Sequence, residues 1–343
     1  MAKKYPHAGY RGDPITRREL LLRGAAAATL TGGAGYLAFA PEHWPLSRLD
    51  ASGLRGQPVP QPFRLPDFRV DPPANGMAIG VGYGGDRHTM LTKAIDALGG
   101  IRRFITPGDV VLIKPNVAFD RSPILGATTH PELLSALIQM VSNHGRAKEV
   151  RVADNPIESP ADCFAKSGIR AASEAAGARV YLPDGNAFDL LETPGAKLIE
   201  RWDFFRRPFA DVTKVIGLSP IKDHNLCSAS MGMKNWYGLL GGRRNQFHQD
   251  IHEIVSDLAL MIRPTLTILD GTHVLMENGP TGGDPSYVKH GDRVLAGVDP
   301  VALDAYAYGH LLERQGPPPA YLAKAEAKGT GQLDYRSRVQ EIS

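Results

Sequence analysis

Gly108-Asp109-Val110-Val111-Leu112-Ile113-Lys114-Pro115-Asn116 is the stretch on which the fold turns. Its uninterrupted apolar run reads as a buried strand, because a strand with one wet face alternates apolar and polar positions. Strand and helix signals alternate around it. Met77 to Val81 is a short apolar run ended by Gly82, Gly84 and Gly85, and Thr89 to Leu98 has helical spacing. Pro131 to His144 is an amphipathic helix opened by proline and closed by Gly145. Glu149 to Ala153, Arg179 to Leu182, Lys214 to Leu218 and Leu266 to Leu269 are further strands; Ile169 to Ala176, Ile251 to Ile262 and Val301 to Leu312 are helices. This alternation predicts an α/β fold: a mostly parallel sheet flanked by helices, forming a single large domain over residues 76–315. Residues 316–343 are polar and are expected to form a peripheral tail.

The N-terminal part has a different character. Residues 1–40 carry Lys3, Lys4, Arg11, Arg17, Arg18 and Arg23 against Asp13 and Glu19, which exceeds the net charge of +3 of the whole chain. The body is therefore close to neutral, and nucleic-acid binding has no electrostatic footing there. The basic start, Thr16-Arg17-Arg18-Glu19-Leu20-Leu21-Leu22, the weakly apolar Gly24 to Leu37 and Ala38-Phe39-Ala40 have the order of an export signal. The arginine pair followed by leucines resembles a twin-arginine (Tat) signal. That resemblance implies the Tat machinery as a partner, folding before export and a periplasmic or extracytoplasmic destination. Pro41 disfavours cleavage after Ala40, so the leader is either cut elsewhere or retained as an anchor. Residues 41–75 hold eight prolines and little periodicity, a linker or surface strap with no core element.

Composition sets other bounds. Hydrophobic residues at 43% and charged residues at 22% are globular values, which excludes a wholly disordered chain. Two cysteines, Cys163 and Cys227, are too few for a disulfide scaffold or an all-cysteine iron–sulfur site on this chain. In an oxidising compartment they would either pair, adding about 4 kcal/mol by loop closure, or remain buried thiols.

In parallel sheets functional groups collect past the carboxyl ends of strands. Lys114-Pro115-Asn116, Asp154-Asn155-Pro156, Pro220-Ile221-Lys222-Asp223-His224 and Asp270-Gly271 all fall at such points. Lys222, His224 and Lys234 are the candidate catalytic groups. Lys114, Asn116, His130, Asn235 and Asp270 are candidate ligand-binding groups, since polar loop lysines provide point charges for phosphate or carboxylate. A desolvated lysine would also serve as a base or Schiff-base nucleophile. His248-Gln249-Asp250-Ile251-His252 spaces two imidazoles by four residues, but Gln249 replaces the glutamate of a metalloprotease helix, and that reading is rejected. His224, His248 and Asp270 would suit a divalent metal; the competing reading is local hydrogen bonding. Gly241-Gly242-Arg243-Arg244-Asn245 is expected to be a mobile basic loop.

Several of these stretches occur together in a known order. The 108–116 segment is followed by Ala127-Thr128-Thr129-His130-Pro131-Glu132, Ile221-Lys222-Asp223-His224, Met233-Lys234-Asn235-Trp236-Tyr237-Gly238, His248, Leu269-Asp270-Gly271, Asn278-Gly279-Pro280 and Ala296-Gly297-Val298-Asp299-Pro300-Val301-Ala302-Leu303-Asp304. Over residues 77–312 the chain resembles the family of domain of unknown function 362, in its Tat-exported branch. The resemblance implies a site at the lysine–histidine and lysine–asparagine motifs and names no reaction. Some members carry a ferredoxin-like segment with clustered cysteines; this chain lacks it, so their iron–sulfur assignment does not transfer. Two functions are expected on these grounds. The first is an exported protein whose Lys/His/Asn/Asp cleft takes an anionic small molecule. The second is an accessory subunit or assembly factor of an exported redox complex.

Overall fold

The computed structural model describes residues 61–343. The leader over 1–40, and residues 41–60 of the linker, lie outside the described residues. The main sheet has β1 (Ile79–Tyr83), β2 (Val110–Lys114), β3 (Glu149–Ala153), β4 (Arg179–Tyr181), β7 (Lys214–His224), β9 (Leu266–Leu275), β11 (Arg293–Gly297) and β12 (Val339–Ile342) in the order β12-β1-β11-β9-β7-β2-β3-β4. Along this path β11 alone runs against the others, so the sheet is mostly parallel. Short β8 (Ser228–Ser230) and β10 (Val288–Lys289) pair with β7 and β9, while β5 (Phe188–Glu192) and β6 (Arg201–Phe205) form a separate hairpin.

The apolar run of β2 has a direct structural reason. Val111 and Ile113 enter one core, with α1 (Arg87–Asp96), α2 (Pro131–Gln139), α3 (Pro160–Lys166) and α4 (Ile169–Ala175). Val110 and Leu112 enter the opposite core, under α6 (Ile251–Met261) and Trp236. Both faces are dry, and each such side chain contributes about 1.5–3 kcal/mol on burial.

Two strands outrun their sequence boundaries. β7 continues through Pro220 to His224, and β9 continues past Leu269 to Leu275, so Lys222, His224 and Asp270 lie on strands and not in loops. Pro220 is accommodated because the β7–β9 register shifts between Pro220 and Lys222, where a missing N–H does little harm. Beyond that shift β7 pairs with β8, Lys222 opposite Ser230 and His224 opposite Ser228.

Both ends of the domain differ from expectation. In the strap, Phe68 is buried in the core, its N–H donates to Arg263 O at 3.1 Å, and its carbonyl accepts from Thr265 Oγ1 at 2.7 Å. A proline-rich segment offers few ladder donors, yet one aromatic is enough to pin it. The C-terminal residues are not peripheral. They form α8 (Ala320–Ala327), with Tyr321, Leu322 and Ala325 fully buried, and β12 closes the sheet beside β1. Polar composition hid this because the polar residues are themselves engaged. Lys324 and Lys328 pair with Glu253 of α6 at 2.7 and 2.8 Å, holding its carboxyl down at about 2.

Tyr321→Ala should cost about 3–5 kcal/mol in urea denaturation, as for a large buried aromatic. Tyr321→Phe removes only a hydroxyl with no hydrogen-bond partner among the described residues, and should change stability by less than about 1 kcal/mol or raise it.

Candidate functional site

β2 has β3 on one side and β7 on the other, so the chain's winding reverses at the β2–β7 boundary. A crevice opens at that point, outside the carboxyl ends of the strands, where α/β sheets place their ligands. Lys114 ends β2 and Asn116 follows it; Asp154 follows β3; Lys222 and His224 come from the β7 extension. Lys234 and Asn235 lie on the short α5 (Gly232–Asn235), Tyr237 and Gly238 just beyond it, and Arg244 and His248 on a 3-10 segment, Arg244–Asp250. These residues line one cavity of about 70 Å³. A water needs roughly 10–15 Å³ on that measure, so the space suits a few waters or one small molecule.

The α5 segment is held down from two sides. Trp236 packs against Gly217 of β7, where any Cβ would meet Trp236 Cζ2 at 2.9 Å. Below it, Asp304 of α7 (Pro300–His310) accepts the Gly232 and Met233 N–H groups at 2.9 and 3.0 Å. Burial pushes the Asp304 carboxyl up to about 7 despite those donors. An acid inside the apolar run of α7 was the sequence signal for this anchor.

At the base of the cavity Lys114 Nζ lies 2.8 Å from Asp154 Oδ1 and donates to Asn235 Oδ1 at 2.7 Å, all three side chains being buried. Asn235 returns its amide to Lys114 O at 3.1 Å. Asp154 also accepts the Val117 N–H at 2.7 Å. Burial lowers the Lys114 pKa and the Asp154 charge opposes it. Lys222 has no carboxylate partner among the described residues: its Nζ donates to Ala127 O at 2.6 Å and Asn116 Oδ1 at 3.4 Å, and lies 5.2 Å over the Phe119 ring. Burial, then Lys234 and Lys114, drives its pKa well below the ordinary lysine value. Lys234 Nζ lies 5.3 Å over the Tyr237 ring, with no hydrogen-bond or carboxylate partner among the described residues; burial lowers its pKa.

Arg244 corrects the mobile-loop expectation. It is buried, and its guanidinium donates to the carbonyls of Tyr237, Leu240, Asn155 and Pro156 at 2.7–3.3 Å. It is a fixed positive charge without a carboxylate in contact among the described residues.

The two imidazoles of the cavity are neutral and of opposite tautomers. His224 Nδ1 accepts the Leu226 N–H at 3.2 Å, which leaves the proton on Nε2, and burial with Lys234 and Lys222 drops its pKa to about 2. His248 Nδ1 faces Asn245 O at 3.1 Å and must donate to it, which leaves Nε2 an acceptor; burial lowers its pKa. The cavity thus offers a neutral donor and a neutral acceptor.

Two expected members lie elsewhere. Asp270 accepts Thr272 N–H and Oγ1–H at 2.9 and 2.6 Å, and Thr272 in turn accepts Arg87 Nε at 3.1 Å. His130 caps α2, its Nδ1 accepting the Glu132 N–H at 3.3 Å, and its ring lies 5.5 Å from that of His273. The metal set His224, His248 and Asp270 is not assembled, because β9 carries Asp270 away from the crevice. Among the described residues no three His, Cys, Asp or Glu side chains group as metal ligands. Nor do His248 and His252 share a helical face: α6 begins at Ile251, and His252 stacks toward Tyr321, ring centroids 6.2 Å apart. Cys163 and Cys227 are free buried thiols, each pushed up to about 11 by burial.

Sequence reasoning singled out Asp154 as a strand-end residue without assigning it to the site, and missed Tyr237 and Arg244. The Asp154 signal was its place after β3. Nothing in the sequence distinguished Arg244 from Arg243.

Residues 111–309, more than half of the chain, match the family described as domain of unknown function, number 362, and the chain belongs to that family. A thylakoid-associated protein of Synechocystis is 30% identical over 229 residues, a match covering 62% of this chain and 66% of that protein's length. Among solved structures, the lactate racemase apoprotein of Thermoanaerobacterium thermosaccharolyticum matches 68% of this chain and 56% of its own at 13% identity, with a TM-score of 0.34. A Thermotoga maritima protein matches 67% and 56% at 14% identity, with a TM-score of 0.33. At those scores neither likeness bears on chemistry.

Two outcomes test the geometry. At Gly238 a Cβ would stand 2.0 Å from Asp154 Oδ1 and 2.8 Å from Lys114 Nζ. Gly238→Ala should therefore cost about 3–5 kcal/mol by denaturant titration, the penalty of breaking a buried pair. The second concerns acid. Below its ordinary pKa of 6.5 His224 takes a proton in the unfolded chain but not in the folded one until about pH 2. Its contribution to stability is therefore complete above pH 6.5 and is lost progressively as pH falls from there toward about 2. Relative to His224→Gln, the wild type should lose up to about 1.4 kcal/mol per pH unit below 6. A difference independent of pH would contradict the neutral imidazole.

Proposed function

We propose that the crevice at the β2–β7 boundary binds a small anionic molecule, and that Lys222, His224 and Lys234 act on it as acid/base groups. The observation that supports this most strongly is an imbalance of charge. Among the described residues, Lys114, Lys222, Lys234 and Arg244 line the cavity against a single carboxylate, Asp154, which Lys114 already engages. Buried cations without counter-charges cost free energy, and an arriving carboxylate or phosphate removes that cost. Such a ligand would accept from Lys222, Lys234 and His224 Nε2–H. Burial lowers the pKa of both lysines and so brings each closer to the neutral amine that proton abstraction requires. On the twin-arginine reading of residues 1–40, the ligand is met outside the cytoplasm.

Inorganic phosphate or a small dicarboxylate at about 100 times its dissociation constant should stabilise the protein by about 2.7 kcal/mol. Thermal unfolding with and without each anion reads this directly. The ligand-dependent shift should shrink in Lys222→Met and persist in Lys289→Met, a change at an exposed lysine outside the crevice. No shift with any small oxyanion would overturn the proposal.

A further inference from the structure

We infer that Lys234 forms an imine with the carbonyl carbon of a small oxo acid, a ligand carrying both a carbonyl and a carboxylate. This deepens the anion-site reading and rests on it. The three cavity lysines are not equivalent. Lys114 is tied to Asp154 and Asn235, and Lys222 donates to Ala127 O and Asn116 Oδ1. Lys234 Nζ makes no hydrogen bond and no ion pair among the described residues and lies 5.3 Å over the Tyr237 ring, so no such bond has to break before the amine reacts.

The surroundings complete the case. Arg244 adds a fixed positive charge to an amine already losing water, and a lysine next to another cation in a desolvated pocket holds a larger share of its neutral, nucleophilic form. Lys222, with a third proton beyond its two bonds, remains for the carboxylate, and Arg244 contributes its charge. His224 carries its proton on Nε2, as argued above, and Ser230 lines the same cavity. About 70 Å³ limits the ligand to a few carbons.

The step balances without an oxidant or reductant. The amine lone pair adds to the carbonyl carbon, the carbonyl oxygen takes up a proton, and the nitrogen loses one. Loss of water from this carbinolamine leaves the C=N bond to Lys234.

The full chain is incubated with glyoxylate and sodium cyanoborohydride, which delivers hydride to the imine carbon and makes the adduct permanent. Peptide mass spectrometry then maps it. Labelling of Lys234 should exceed that of exposed Lys289 and Lys324 severalfold, since a lowered pKa raises the free-amine fraction. K234R, which keeps the charge, should lose the adduct. The wild-type map needs no variant, so a folding defect in K234R would not obscure the result. Thermal unfolding with inorganic phosphate runs in parallel. Stabilisation by phosphate with no adduct, or with the adduct on Lys222 or spread evenly over surface lysines, overturns the imine and leaves the anion site standing. Neither stabilisation nor adduct removes both. A mapped adduct at Lys234 supports the imine whatever phosphate does.

Discussion

The site depends on the buried ion pair between Lys114 and Asp154. Removing a lysine and an aspartate from water costs several kcal/mol for each ion, and attraction at 2.8 Å offsets this only when the remaining donors and acceptors are also satisfied. Here they are: Asn235 takes one Lys114 proton, and Asp154 accepts the Val117 N–H. These bonds tie the end of β2 and the residue after β3 to a segment 121 residues beyond Lys114. The close approach of that segment is possible because position 238 has no side chain. The pair therefore does structural work before any ligand arrives.

The consequence is a cavity in which, among the described residues, the remaining cations have no partner of opposite charge. The fold holds Arg244 with carbonyl dipoles and Lys222 with a carbonyl and an amide, which satisfies their protons without neutralising their charge. Nearby groups respond by shedding protons, so that His224 is neutral and the lysines are more readily deprotonated. An anion would restore balance. Asp304 and Trp236 act through position, fixing the short helix that presents Lys234 and Asn235.

Much of this was legible before any coordinates. The strand over 110–114 and its neighbours follow from apolar runs that only a doubly covered sheet explains, and the placement of Lys114, Asn116, Lys222 and His224 toward strand ends follows from the same frame. The failures have identifiable causes. Pro220 read as a stop, whereas a register shift absorbs it. Asp270 read as a crevice residue, whereas β9 runs on past it. His248 and His252 read as one face, whereas the helix begins between them. The C-terminal residues read as peripheral because their lysines are charged, and those charges are the contacts that dock them.

Local pattern thus determined the elements and the chemistry available at their ends, because strand burial and helix periodicity are properties of a few neighbouring residues. Which of those groups meet was decided by tertiary structure. Strand order, the length of β7 and β9, and the descent of the 231–239 segment onto Gly217 depend on contacts between residues far apart in the chain. The same holds for charge state. A lysine has its ordinary pKa in the sequence, and only burial beside other cations lowers it.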